Sequence, residues 1–179
     1  DNVNITLSPP SLTSATYDAS TGVLTFTGAN FASSSGSTND IDVSKFTITG
    51  NDSNTYTLTS DDVELTSATA FSVTLNAADQ LQIAGLLNKN GTSSSQGTTY
   101  NIAAAENWNP GYTSTPADLT GNAITVSNVS SPTLTSANYD ASTGVLSVTG
   151  SNIPAYPGAG NDIDVSKFTI TGNDSNTYT

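Results

Sequence analysis

The nineteen residues NDIDVSKFTITGNDSNTYT stand at 39–57 and return unchanged at 161–179. The correspondence extends upstream: residues 11–57 align with 133–179 without a gap, and 35 of 47 positions are identical. A repeat of this length fixes the folding unit before any other feature is weighed. Residues 11–132 form one full unit of 122 residues, 133–179 are the first part of a second copy, and 1–10 are a lead-in strand or linker. A unit of this size can bury a real core. Where the copies differ inside apolar runs the swaps stay apolar, Phe26 answering to Val148 and Phe31 to Ile153. Between them ASSSGST (32–38) answers to PAYPGAG (154–160), a divergence that reads as an exposed loop.

Within the unit, apolar residues recur with period two. In GVLTFTG (22–28) Leu24 and Phe26 alternate with Val23, Thr25 and Thr27, so one face is apolar and the other carries Thr. The runs KFTITG (45–50), TYTLTS (55–60), DVELTS (62–67), FSVTL (71–75), TYNIAAA (99–105) and NAITVSNV (122–129) read the same way. Each is bounded by Gly, Asn, Asp or Ser, the signature of an all-β sandwich or barrel. YDASTGV (17–23) is a hairpin turn in which Gly22 takes positive φ. One stretch departs from the pattern. In NAADQLQIAGLLNKNG (76–91) Asn76 can cap, Asp79 falls near the third helical position, and Leu81, Ile83, Leu86 and Leu87 give an apolar side. This predicts one short helix over about 77–88, packed across an end or edge of the sandwich.

Composition narrows the function. Fifteen Asp and Glu face three Lys, giving a formal charge of −12, and Arg, His and Cys are absent. Nucleic acid is excluded as a partner because phosphates need Lys and Arg, and anionic membrane surfaces are disfavoured for the same reason. Without His or Cys there is no Ser–His–Asp or Cys–His catalysis and no thiolate metal site. No apolar run reaches membrane-spanning length. The Thr-, Ser-, Asn- and Gly-rich make-up suits an exported bacterial β-protein, with Asp1 after a cleavage point or inside a longer parent chain.

SLTSATYDASTGVLTFTGANF (11–31), VSKFTITG (43–50) and ADLTGNAITVSNV (117–129) resemble bacterial immunoglobulin-like repeats of the TIG-like and flagellar-associated kinds. In those repeats a Pro-led strand passes through a Gly turn into a strand of V-x-x-T-G-x-N-F type, and an Asp-x-x-Gly-Asn turn precedes the last strand. The stretches cover about half the unit and leave the helix outside the common pattern. The resemblance implies an immunoglobulin-like β-sandwich repeat from a giant surface adhesin or cell-surface filament, located extracellularly on a bacterium. It implies a structural extender rather than an enzyme.

Two groups of residues invite chemistry. Asn39, Asp40 and Asp42 of NDID, with Asp162 and Asp164 in the repeat, supply the hard oxygens Ca2+ takes, and Asp118 could join them if its turn lies at the same end. The same residue types also serve plain turn chemistry, bonding their own backbone. Asp61, Asp62 and Glu64 could in principle pair as glycosidase carboxylates, but read as a water-facing turn. Trp108 and Tyr112 would make an aromatic platform for carbohydrate if exposed, whereas a lone Trp commonly plugs a core. The half-unit 133–179 lacks the partners of its strands and cannot bury enough apolar surface alone. Its edges are therefore expected to pair with the first unit or, head to tail, with an identical chain.

Overall fold

A computed structural model describes residues 8–158, 160 and 162–179; most of the expected lead-in, residues 1–7, lies outside the described residues. The chain is all-β with one short helix. Seven strands of the first unit form a single mixed sheet: β1 (Ser11–Asp18), β2 (Val23–Ala29), β3 (Phe46–Thr49), β4 (Thr55–Thr57), β5 (Ala70–Thr74), β6 (Asn101–Ala104) and β7 (Ala123–Ser127). Their order is β4-β3-β6-β7-β1-β2-β5. All pairings are antiparallel except β1 with β7, which runs parallel from Ser14↔Ala123 to Asp18↔Ser127.

This sheet is curled. Phe26 on β2 and Phe46 on β3 are separated by three intervening strands in the sheet, yet their ring centroids are 4.8 Å apart. Phe71 on β5 stacks on Phe26 at 4.4 Å, so an edge strand and the opposite arm of the sheet share one aromatic cluster. The pairing of β6 with β7 is short, with the single register pair Asn101↔Ala123. Alternation inside the strands supplies the apolar interior: Leu24 and Phe26 of β2, Phe46 and Ile48 of β3, and Phe71 and Val73 of β5 are all buried. On the outer face Thr25 bonds Ser72 and Thr47 bonds Thr57, each at 2.8 Å. Leu12 and Ala15 are both buried although three residues apart, because a bulge between Leu12 and Ser14 resets the phase of β1.

The hairpin turn and the helix follow the sequence. Gly22 has φ +70° and donates its N–H to the Asp18 carbonyl at 2.9 Å. Helix α1 spans Ala77–Leu86, capped by the Asn76 side chain, which accepts from the Asp79 N–H at 2.8 Å. DVELTS does not form a strand; Val63 makes only an isolated bridge to Ile41. The reason lies in its neighbours' donors. Leu65 gives its N–H to the Asp40 carboxylate, and Asp62 accepts from Val43, so carboxylates replace a strand ladder here.

The second copy repeats the local structure without the core. Strands β8 (Thr133–Asp140) and β9 (Val145–Ser151) form a hairpin with the same bulge, and β10 (Ile170–Thr171) pairs with β11 (Thr177–Tyr178). Among the described residues these two sheets have no further strands, so the half-unit does not add to the first sheet, the first of the two pairings expected from the sequence. Leu146 is 39% exposed where Leu24 is fully buried, and Val165 is 78% exposed where Val43 is fully buried. Phe26→Ala should therefore cost about 3–5 kcal/mol in urea unfolding, whereas Val148→Ala at the corresponding position should cost less than about 1 kcal/mol.

Candidate functional site

The carboxylates singled out in the sequence are engaged by donors of the fold. The Asp42 side chain caps a single 3-10 turn at Val43–Lys45, accepting from the Ser44 N–H at 3.1 Å and its hydroxyl at 2.6 Å, and it lies 3.8 Å from Lys45. Asp164 does the same for Ser166. Asp162 accepts from the Tyr156 N–H at 2.6 Å. Asp118 ties two segments together, taking the Leu12 N–H at 2.8 Å and the Asn122 amide at 2.8 Å. Asp40 is buried and accepts from the N–H groups of Ser34 and Leu65. Burial pushes its carboxyl up, but those two bonds and one from Glu64 outweigh it and hold it below the ordinary value. Glu64 is raised, chiefly by its hydrogen bond to Asp40. Among the described residues no three acidic side chains gather as a metal cluster. The Asn39 amide donates to the Ser35 carbonyl, and its oxygen is buried without a partner.

Trp108 is fully buried. Its ring meets Phe31 and Phe46 edge-on at 5.6 and 5.8 Å, and its indole N–H donates to the Pro116 carbonyl at 3.3 Å. No face of the ring is open to a sugar, and Tyr112, close by in a loop, has no exposed indole beside it to complete a platform. The neighbouring Asn109, which sequence reasoning passed over, is also fully buried and holds the 32–40 loop from both sides. Its amide donates to the carbonyls of Ala32 and Asp40 at 2.7 Å each, and its oxygen accepts from the Ala32 N–H at 2.8 Å.

Asp79, read in the sequence only as an acid in the first turn of the helix, has a larger role. It is fully buried and accepts from the backbone N–H groups of Thr59 and Ser60, from both their hydroxyls, and from the Tyr56 hydroxyl at 3.0 Å. Burial alone raises a carboxyl, yet the bonds from Ser60, Thr59 and Tyr56 win and its pKa lies below the ordinary value. Asp79 thus anchors α1 to the chain leaving β4.

Among the described residues, the half-unit bonds to the folded body of the first unit through the loop in which the copies diverge. The Tyr156 hydroxyl donates to the Asn51 carbonyl at 2.8 Å and accepts from the side-chain amides of Asn51 and Asn54 at 3.1 and 3.0 Å. The Ala155 N–H donates to the Leu81 carbonyl on α1 at 3.2 Å. The Ala155 backbone lies so close to α1 that a Cβ on Gly85 would overlap its carbonyl oxygen and the Tyr156 ring. Ile153 and Pro154 line a crevice together with Tyr17, Leu87 and Val129. Ala155 and Tyr156 thus form the joint between copies, and the divergence there has a physical reason: Ser34, at the place of Tyr156, has no ring to dock.

Beyond the joint, the half-unit presents an open apolar face of Leu134, Leu146, Val148, Phe168, Ile170 and Tyr178. The chain matches no known protein family, no curated protein and no solved structure.

Two outcomes follow from the carboxylates. Asp79 has a lower pKa in the fold than in the unfolded chain, so its contribution is complete above about pH 4 and is lost as pH falls through the folded value. Asp79→Asn should lower stability by about 2–4 kcal/mol at pH 7 and flatten the decline in urea midpoint below pH 4. Asp40→Asn should lower the melting temperature equally in calcium and in chelator, since its partners are the Ser34 and Leu65 N–H groups and the Glu64 carboxyl. A loss seen only in calcium would instead make it a metal ligand.

Proposed function

We propose that this chain is a structural extender: an immunoglobulin-like repeat of a bacterial surface adhesin or filament, whose copies are set at a fixed angle by a side-chain latch. The carrying observation is the joint. Tyr156 of the second copy is held by three hydrogen bonds on Asn51 and Asn54 of the first, with Gly85 leaving room for the loop backbone. A five-residue connection, 128–132, separates β7 from β8, short enough to keep the two copies together. The latch acts in one direction only, because the second copy carries the Tyr and the first carries Ser34 at the equivalent place.

Strand order supports the immunoglobulin-like reading. The arm β5-β2-β1 corresponds to strands E-B-A of that sandwich, and β7-β6-β3-β4 to G-F-C followed by an extra edge strand. The parallel β1–β7 pairing links the two arms, and the near-break between β6 and β7 splits the curled sheet further. An acidic surface with few cations keeps neighbouring modules apart in solution.

Gly85→Ala tests the joint. The three atoms nearest the new methyl all belong to the second copy, and Ala improves helix propensity, so the first unit should keep or gain up to about 1 kcal/mol of stability. Small-angle scattering should nevertheless show a longer, more variable particle, and Tyr156→Ala should reproduce it. An unchanged scattering profile in both variants would remove the latch. Surface labelling of intact cells by an antibody to residues 11–132 checks the location; signal appearing only after lysis would count against it.

A further inference from the structure

The open face of 133–179 has a template within the same molecule. In the first unit the corresponding residues Leu12, Leu24, Phe46 and Ile48 are buried, and the elements that cover them lie in residues 58–132: β5, α1, β6, Trp108 and β7. We infer that the face of 133–179 is a docking site for a polypeptide segment of the 58–132 pattern that has no 11–57 segment of its own to cover. This rests on the equivalence of the two copies and not on the surface-extender reading.

Polar groups as well as apolar ones specify the occupant. Three carboxylates on 58–132 meet donors on 11–57 in the first unit. Asp118 takes the Leu12 N–H, Asp62 takes the Val43 N–H at 2.8 Å, and Asp79 takes the Tyr56 hydroxyl. Leu134, Val165 and Tyr178 carry the same three donors on the half-unit. Acceptors at those three places distinguish a matched segment from any apolar surface, because a buried donor left without one is costly.

The alternative within the chain fails on geometry. The chain's own 58–132 cannot transfer from the first copy to the second. In the register of the first unit, Ser127 ends β7 beside Asp18, the far end of β1. For β8 to take the place of β1, Thr133 would have to reach the position of Ser11, about 23 Å back along the strand at ~3.3 Å per residue. The 128–132 connection spans at most about 21 Å fully stretched, and a crossover between parallel neighbours takes a dozen or more residues. The occupant is therefore a further segment of the 58–132 pattern, and not the one already folded onto 11–57.

The test adds a polypeptide of residues 58–132 to the full chain. A one-to-one complex is expected by sedimentation, with amide hydrogen exchange slowed at least tenfold across 133–179 and unchanged across 11–57. Asp62→Asn, Asp79→Asn and Asp118→Asn together in the added segment should weaken binding at least tenfold. Leu146→Asp with Val148→Asp in the full chain should abolish it while leaving the exchange of 11–132 as before. If the free segment aggregates, the same sequence attached after Thr179 reports instead, and slowed exchange across 133–179 is again expected. Exchange across 133–179 that stays fast with the segment attached would overturn the inference. So would self-association of the full chain through this face that the added segment fails to displace.

Discussion

The contact between Phe26 and Phe46 is the one on which the rest of the first unit depends. It joins strands separated by three others in a single sheet, and it can form only because the sheet curls back on itself. Closing the bend encloses the apolar faces of both arms, brings Phe71 and Trp108 against the same cluster, and places α1 over the remaining opening. Asp79 then fastens the helix through a buried carboxylate whose donors are all supplied by Tyr56, Thr59 and Ser60. Each of these features needs residues beyond position 57. A chain holding only the first 47 residues of the pattern has the strands and the turns but no bend to close, which is the condition of the second copy.

Much of this was legible from periodicity and turn chemistry. The alternation of Leu24 and Phe26 with Thr25 and Thr27 gave the buried and exposed faces of β2, Gly22 gave the turn, and Asn76 gave the start of α1. What could not be read were the long-range partners of polar side chains. Asp79 looks in sequence like a first-turn acid near a helix cap, and its burial depends on Thr59 and Ser60, some twenty residues away. Asn109 looks like a turn residue, yet it bonds Ala32 and Asp40 about seventy residues earlier. DVELTS has strand-like alternation, but its donors and acceptors meet the carboxylates and backbone of the 40–43 segment, a preference that alternation does not encode.

The internal repeat informed more than one reading. Aligning the copies located the core through Phe26/Val148 and Phe31/Ile153, since both substitutions keep apolar character where packing demands it. The same alignment marked 32–38 as a loop free to vary. In the second copy the matching segment varies for a reason: Tyr156 and Ala155 make the bonds that hold the copies together. Divergence between repeats records a change of partner as readily as a loss of constraint.

The parallel pairing of β1 with β7 also determines how the unit carries load. Tension entering at the start of β1 and leaving at the end of β7 pulls two adjacent parallel strands in opposite directions along their length. Their five register pairs, Ser14↔Ala123 through Asp18↔Ser127, are then sheared together rather than peeled one at a time. A hairpin pulled from its two open ends breaks its hydrogen bonds in sequence, and the force needed is that of the weakest. Here the bonds must yield as a set, so the first and last strands of the unit act as a mechanical clamp across its ends.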